Sequence, residues 1–349
     1  MLDSTWVFTT IASVVALETI ECGVRYQIVD TIFEGGMGIV YEAEQYGTNE
    51  FVKRVAIKVI RQSFATQKLF IENFIGEAKL VADLIHTNIV QTYHLGKTQK
   101  GDYFICMELI KGANLEQFVT RLQEQNRQLP KELAVFIASR IARGLAYAHG
   151  KTDANNKPLG IVHRDVNLKN IMIAFEGDVK LTDFGIAKAR GLLQDQEGEV
   201  VAGKVDYMSP EQCDFQITDK RSDLFSVGIV LGQLLLGYNI FKGASMKESR
   251  DRILNLEIPN FTDLDDRIDA PLNNILQKCL KRDLNERYPN SEELLHDLEH
   301  YIYHAGYGPT NETMGRFIRQ LFNQVDMQKV AQKRGNTVKL SRPVPSPKF

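Results

Sequence analysis

His163-Arg164-Asp165-Val166-Asn167-Leu168-Lys169-Asn170 and, thirteen residues beyond Asn170, Asp183-Phe184-Gly185 are the stretches on which the reading of this chain turns. They hold two carboxylates and two amides at short, set separations. Asn170 and Asp183 offer oxygens of the hard type that magnesium prefers, and a further carboxylate, Asp165, stands five residues before Asn170. Each string alone has a plainer reading, His-Arg-Asp as a turn cluster and Asp-Phe-Gly as the start of a helix. The weight comes from what stands around them, in order.

From Arg25 to Lys58 the pattern is strand, glycine turn, strand, strand. Tyr26, Ile28 and Ile32 lead into Glu34-Gly35-Gly36-Met37-Gly38, and the β-branched and aromatic Ile39-Val40-Tyr41 follow. Val55-Ala56-Ile57-Lys58-Val59-Ile60 reads as a strand buried on both faces apart from its lysine. A lysine there is almost never buried without a partner. Glu77 comes nineteen residues later, beside a helical face formed by Phe70, Phe74, Ala78, Val81 and Leu84/Ile85. Tyr103 to Glu108 is another apolar strand. After Gly112 the pattern turns mainly helical, notably over 131–149 and 222–237. The expected class is α+β, a small β-rich lobe with one long helix before a larger helical lobe.

A chain of 349 residues is too long for one small core and suits two lobes with appendages. A formal net charge of −2 argues against a nucleic-acid partner. Cys22, Cys106, Cys213 and Cys279 form no C-x-x-C pair, so reduced thiols in a cytoplasmic, reducing compartment are expected, with neither disulfide nor zinc site. Trp6 to Leu17 is apolar but shorter than the ~20 residues of a membrane span. No Lys or Arg precedes it. It reads as a β-rich extension packed on the small lobe, and no membrane span is expected.

Lys151 to Pro158 is a polar loop to which the sequence assigns no role. In Thr310 to Val325, the residues Met314, Phe317, Ile318, Leu321, Phe322 and Val325 form an apolar helical stripe after Pro309, expected to dock on the large lobe or on a partner. Beyond Asp326 there are six Lys or Arg and no acid, which reads as a disordered, solvated tail.

The ordered set resembles that of protein kinases, more narrowly bacterial Ser/Thr-type kinases, over residues 25–303. The resemblance implies the two-lobed protein-kinase fold, with an N-lobe at 25–108 and a C-lobe at 109–303; outside it stand an N-terminal extension at 1–24, an amphipathic helix at 304–326 and the basic tail at 327–349. It implies ATP and Mg2+ as cofactors and transfer of the γ-phosphate to Ser/Thr hydroxyls of a protein substrate. Asp165 would then orient the hydroxyl, Asn170 and Asp183 would hold the metal, and Lys58, fixed by Glu77, would hold the α- and β-phosphates. Gly35, Gly36 and Gly38 would let the first hairpin close over the phosphates. Ile32 and Val40 would lie against the nucleotide, and Ala56 and Met172 would sandwich the adenine. Met107 would gate the back pocket, while the Glu108 carbonyl and Ile110 N–H would pair with the purine edge.

Three scaffold residues follow from the same resemblance. Glu211 in Ser209-Pro210-Glu211 would form a buried ion pair with Arg287, and Asp223 would brace the catalytic-loop backbone. The chain also departs from the family. Phe33 stands where the first loop glycine is usual. Asn167 replaces a lysine that reaches the γ-phosphate, and Lys204 replaces a threonine facing Asp165, so Lys204 is a candidate to supply the missing cation; the alternatives are that Lys204 faces solvent or that Lys169 restores the charge. Family members with an arginine at the Arg164 position often order the following loop through a phosphate. Between Gly185 and Pro210 the only hydroxyl residues are Tyr207 and Ser209, so either one of Asp195, Glu197 and Glu199 stands in for the phosphate or these acids form a plain solvated loop. A pseudokinase scaffold is the alternative function. A small-molecule kinase is a weaker third, because Ser209-Pro210-Glu211 suits a protein-substrate groove.

Overall fold

The computed structural model describes residues 19–35, 38–60, 75–76, 78, 81–184 and 205–322. Readings at 1–18, Gly36, Phe70, Phe74, Glu77, 185–204 and 323–349, Lys204 and Val325 among them, lie outside the described residues. Apolar residues in alternation build the first layer. Strands β1 (Thr19–Glu21), β2 (Arg25–Glu34), β3 (Gly38–Tyr46), β4 (Val52–Ile60), β5 (Thr92–Lys97) and β6 (Tyr103–Glu108) form one antiparallel sheet, ordered β1-β2-β3-β4-β6-β5. Val55 and Ile57 of β4 are fully buried in a cluster with Tyr26, Ala43, Phe104 and Cys106. In register, Lys58 stands opposite Val40 of β3 and Ile105 of β6.

Residues 75, 76, 78, 81 and 82 are helical, and Ala78 packs with Ile60 and Ile105. The apolar face was expected to reach Ile85, and the structure corrects this: Leu84 is buried but Ile85 is 71% exposed. The helix has ended by Asp83, so helical spacing no longer sets which way the next side chains point.

The second lobe carries a small sheet, β7 (Gly112–Asn114), β8 (Ile171–Ala174) and β9 (Val179–Leu181), on a helical body. Its helices are α1 (Leu115–Glu124), α2 (Lys131–His149), α3 (Pro210–Cys213), α4 (Lys220–Leu236), α5 (Met246–Asn255), α6 (Ala270–Cys279), α7 (Ser291–Tyr303) and α8 (Asn311–Leu321). α2 and α4 are buried over most of their circumference, as expected of apolar helices with no wide polar face. The Asp219 carboxylate caps α4 by accepting the Arg221 N–H, and Gly237, in the left-handed conformation, ends it.

One buried ion pair ties α3 to the chain ahead of α7. Arg287 meets Glu211 through two bonds, Nη1 to Oε1 at 2.9 Å and Nη2 to Oε2 at 3.2 Å, and the Ser222 hydroxyl adds a third at 2.6 Å. The Arg287 side chain is 0% exposed and that of Glu211 4%, so neither charge is shared with solvent. Arg287 also donates to the carbonyls of Lys281 and Arg221. Burial by itself would raise the Glu211 carboxyl, but the Arg287 guanidinium outweighs it and holds the group below its ordinary range.

The amphipathic stripe of α8 is docked on its own lobe. Met314, Ile318, Leu321 and Phe322 are buried, and Phe317 lies 6.0 Å from the Phe118 ring of α1. Two glycines set the closeness of the fit. Gly315 of α8 sits where a Cβ would come within 2.5 Å of the Glu176 carbonyl. Gly177, at φ +102° in the β8–β9 turn, would bring a Cβ within 1.8 Å of the Asn311 carbonyl. Arg121 of α1 and Gln125, which caps its end, donate to the Leu321 carbonyl at the far end, and Asn311 donates to Asp178 at 2.6 Å.

We expect a chain truncated after His304 to lose about 5 °C or more in Tm, since each docked side chain contributes roughly 1.5–3 kcal/mol as an upper bound. Gly315→Val in the full chain should lower Tm in the same direction, and unchanged melting of both variants would exclude the docked arrangement. Arg287→Met should cost about 3–5 kcal/mol in urea unfolding at neutral pH, because it strands a buried carboxylate. The sign with pH follows from the depressed Glu211 carboxyl. Its contribution is fully present above the ordinary Glu value of 4.5 and is lost as pH falls through the lower folded value, so the gap between variant and wild type should close in acid.

Candidate functional site

The loop carrying Asp165 is held from behind. Asp223, at the start of α4, accepts the backbone N–H groups of His163 at 2.8 Å and Arg164 at 2.7 Å, while His149 Nε2 meets the same carboxylate at 2.8 Å. Arg164 takes the left-handed conformation at φ +61°, which is strained for a residue with a Cβ. Besides the Asp223 bond to its N–H, Gln212 Nε2 donates to its carbonyl at 2.9 Å, so both sides of the strained residue are fixed. His163 is buried, donates from Nε2 to the Thr182 carbonyl at 3.0 Å and packs on the Phe184 ring. That contact ties the Asp165 loop to the segment bearing Asp183.

Asp165 is gripped by two amides. Asn167 Nδ2 donates to Oδ1 at 2.8 Å, and Asn170 Nδ2 donates to Oδ2 at 3.0 Å. Each amide also reaches the Asp165 carbonyl, at 3.0 and 2.9 Å. Asn167 does a second job: its Oδ1 accepts the Lys169 N–H at 2.9 Å and caps the short 3-10 turn 168–170 that sets Asn170 in place. Asn170 spends its Nδ2 on Asp165, which leaves its Oδ1 as an oxygen donor.

Asp183 comes from the stretch after β9, also left-handed at φ +60°. The Thr182 N–H donates to the Asn170 carbonyl at 2.9 Å, joining the two halves of the motif at the backbone. Lys58 reaches across from β4, and its Nζ lies 2.7 Å from Asp183 Oδ1 with its side chain only 13% exposed. The expected partner Glu77 lies outside the described residues. Asp183 and Asn170 fit magnesium in kind, both offering hard oxygens. Among the described residues no three His, Cys, Asp or Glu side chains form a metal cage, and magnesium needs none when phosphates complete its shell.

Four of the residues expected around a nucleotide, Ala56, Met107, Ile110 and Met172, are brought together. Ala56 pairs with Met107 across β4 and β6, and Met107 and Met172 pack beside Val90, Ile110 and Ala174. Met107, Lys58, Asp183 and Phe184 border a cavity of about 40 Å3. The Ile110 N–H has no acceptor among the described residues, as an incoming purine would require. Ile32 and Val40 are half-buried on β2 and β3.

The glycines have packing reasons of their own. A Cβ on Gly38 would lie 2.3 Å from the Val59 carbonyl, and one on Gly35 would lie 2.6 Å from the ring of Phe33. Phe33 itself is exposed and pairs with Val40. Two contacts had no signal in the sequence. Lys180 of β9 pairs with Glu108 at 3.0 Å, and Arg164 Nε donates to the Thr218 hydroxyl at 3.1 Å. Both join positions far apart in the chain, with no spacing rule to announce them.

A family model for the protein kinase domain matches residues 26–298. The chain is 34% identical over 304 residues to the tyrosine-protein kinase MasK of Myxococcus xanthus, covering 86% of this chain and 46% of that protein. It is 34% identical over 275 residues to the serine/threonine-protein kinase PrkC of Bacillus subtilis, covering 79% and 40%. It thus spans less than half the length of these curated relatives. The solved kinase domain of Mycobacterium tuberculosis PknI shares the fold, with a TM-score of 0.60 at 23% identity over 78% of this chain and 94% of that one. With the family model covering most of the chain and its motifs gathered in one cleft between a sheet and a helical lobe, the chain belongs to the protein kinase family.

Proposed function

We propose that the chain is an ATP- and Mg2+-dependent protein kinase that transfers the γ-phosphate to Ser/Thr hydroxyls of protein substrates. The observation that carries this reading is the Asp165 carboxylate, held on both oxygens by Asn167 and Asn170 beside the Lys58–Asp183 pair. A carboxylate so fixed is oriented for an incoming hydroxyl and would receive its proton. Asn170 and Asp183 would hold the metal, which when bound offsets the charge of the phosphates. Lys58, whose Nζ meets Asp183 Oδ1, is close enough to the metal-holding carboxylate to reach the same phosphates.

Asn167 favours turnover over a scaffold role, because it supports Asp165 where the family's lysine is missing. The cation that lysine would have brought is assigned to Lys204. Lys169, the other candidate, is engaged at the rim with Glu116 at 3.7 Å. Ser/Thr acceptors follow the names of several relatives, PrkC among them, while MasK carries the name of a tyrosine kinase. Ile32, Gly35, Gly36, Gly38, Val40, Ala56, Met107, Glu108, Ile110 and Met172 would enclose the nucleotide. No described helix is long and apolar enough to cross a membrane, and the four cysteines are free, which suits work in the cytoplasm.

Incubation with radiolabelled ATP, Mg2+ and a generic protein acceptor, followed by phosphoamino-acid analysis, tests both transfer and acceptor type. Asp165→Asn should lower kcat about 100-fold or more with little change in nucleotide affinity. Asp183→Asn should lose a similar factor together with Mg·ATP affinity. Near-normal turnover in either variant would remove these residues from the mechanism. Lys204→Thr should lower kcat about tenfold, or 1.4 kcal/mol in the barrier, and unchanged turnover would dispose of its assigned role.

A further inference from the structure

The outer side of α7 carries a row of histidines. His296, His300 and His304 follow one another at four-residue spacing, and all three are exposed. The His296 and His300 rings stack with centres 6.2 Å apart and 17° between their planes, and the His300 and His304 centres lie 6.1 Å apart. Four residues overshoot a helical turn by about 40°, so neighbouring rings meet while the row winds away round the helix. In keeping with this, no three ligand-type side chains converge among the described residues, and the row offers adjacent pairs.

His304 is already oriented for a ligand. Its Nδ1 lies 2.9 Å from the Tyr301 carbonyl, an atom that can only accept, so Nδ1 carries the proton and Nε2 of the neutral ring keeps its lone pair. Metal-binding histidines are commonly fixed in this way, through the nitrogen that does not bind. His304 also caps the C-terminal end of α7, where the helix dipole favours a positive charge. The acids between the first two histidines are spent elsewhere, Glu299 on Arg140 and Arg143 and Asp297 on the Tyr288 hydroxyl, so the row presents imidazole. An ion about 2.1 Å from a ring nitrogen stands about 3.2 Å from that ring's centre, so rings up to about 6.4 Å apart can share one.

We propose that α7 holds a divalent transition ion of the Zn2+ class between His300 and His304, with water completing its shell and His296 as the alternative partner of His300. Imidazole suits Zn2+, Ni2+ and Cu2+, whereas Mg2+ takes oxygens, so the site differs in kind from Asn170 and Asp183. It uses none of the four cysteines. Two histidines four residues apart on one helix face are a known way of gripping Zn2+. The ion spans the last turn of α7 and its cap, an arrangement that exists only in the folded helix, so binding adds to stability. It also pins the start of the connection that leads from α7 into α8.

The full chain is stripped of metal with EDTA, repurified with its thiols reduced and saturated with Mg2+, so that the cleft oxygens are occupied. It is then titrated with ZnCl2 by calorimetry and melted with and without Zn2+. Wild type should take up one Zn2+ more than His300→Asn, and Zn2+ should raise Tm further in the wild type than in that variant. His304→Asn should weaken this ion about tenfold or more, and His296→Asn by less. Equal zinc uptake by wild type and His300→Asn would place any bound zinc elsewhere, in the cleft or on a thiol, and overturn the inference. A rise in Tm that depends on His300 but is given equally by Mg2+ would overturn it too, since imidazole would not be what selects the ion. A greater loss in His296→Asn than in His304→Asn would overturn the pairing with His304.

Discussion

Asp223 carries a carboxylate into the middle of the helical lobe, where an ion without partners would be strongly unfavourable. Two backbone N–H groups and the His149 ring satisfy it, and His149 in turn meets the Ser291 hydroxyl at the start of α7. Burial pushes the Asp223 carboxyl up, but the His149 bond and the other donors prevail and hold it below its ordinary range. The backbone donors come from the two residues before Asp165. The need to satisfy one buried charge therefore fixes the loop on which the chemistry depends. It also keeps Arg164 in a conformation that a free chain would leave.

The site is completed across the cleft by contacts between segments that do not neighbour each other in sequence. Lys58 brings the sheet lobe onto Asp183, and Glu108 at the end of β6 is tied to Lys180 of β9. On the opposite side α8 grips the β8–β9 turn through the facing glycines Gly177 and Gly315. That hairpin bears Met172 and leads directly into Asp183. The helix thus braces, from outside, a strand pair that lines the nucleotide face.

The departures from the family pattern become intelligible once their neighbours are seen. Asn167 is a shorter, neutral residue at a position where a cation is usual, yet it both caps the 168–170 turn and holds Asp165 Oδ1. Phe33 removes one glycine from the hairpin and lays its exposed ring over Gly35, where a Cβ would come within 2.6 Å of it unless the ring turned away. Gly38 owes its identity to the approach of β4 before any phosphate is considered.

Much of the fold and the identity of the site residues could be read from sequence, because both rest on local rules. Alternation and helical spacing marked the strands around Lys58 and the long helices, and the apolar stripe after Pro309 marked α8. The order of Lys58, Asp165, Asn170 and Asp183 announced one cleft, since each residue type matches one chemical need at a set spacing. Ile85 was misplaced because periodicity carries no mark of where a helix stops. The partners of Lys58, Glu108 and Arg164 and the face on which α8 docks were decided only by the tertiary structure. Those pairings join residues tens to more than a hundred positions apart, and their distances depend on how the two lobes and their described helices pack, which no spacing along the chain encodes.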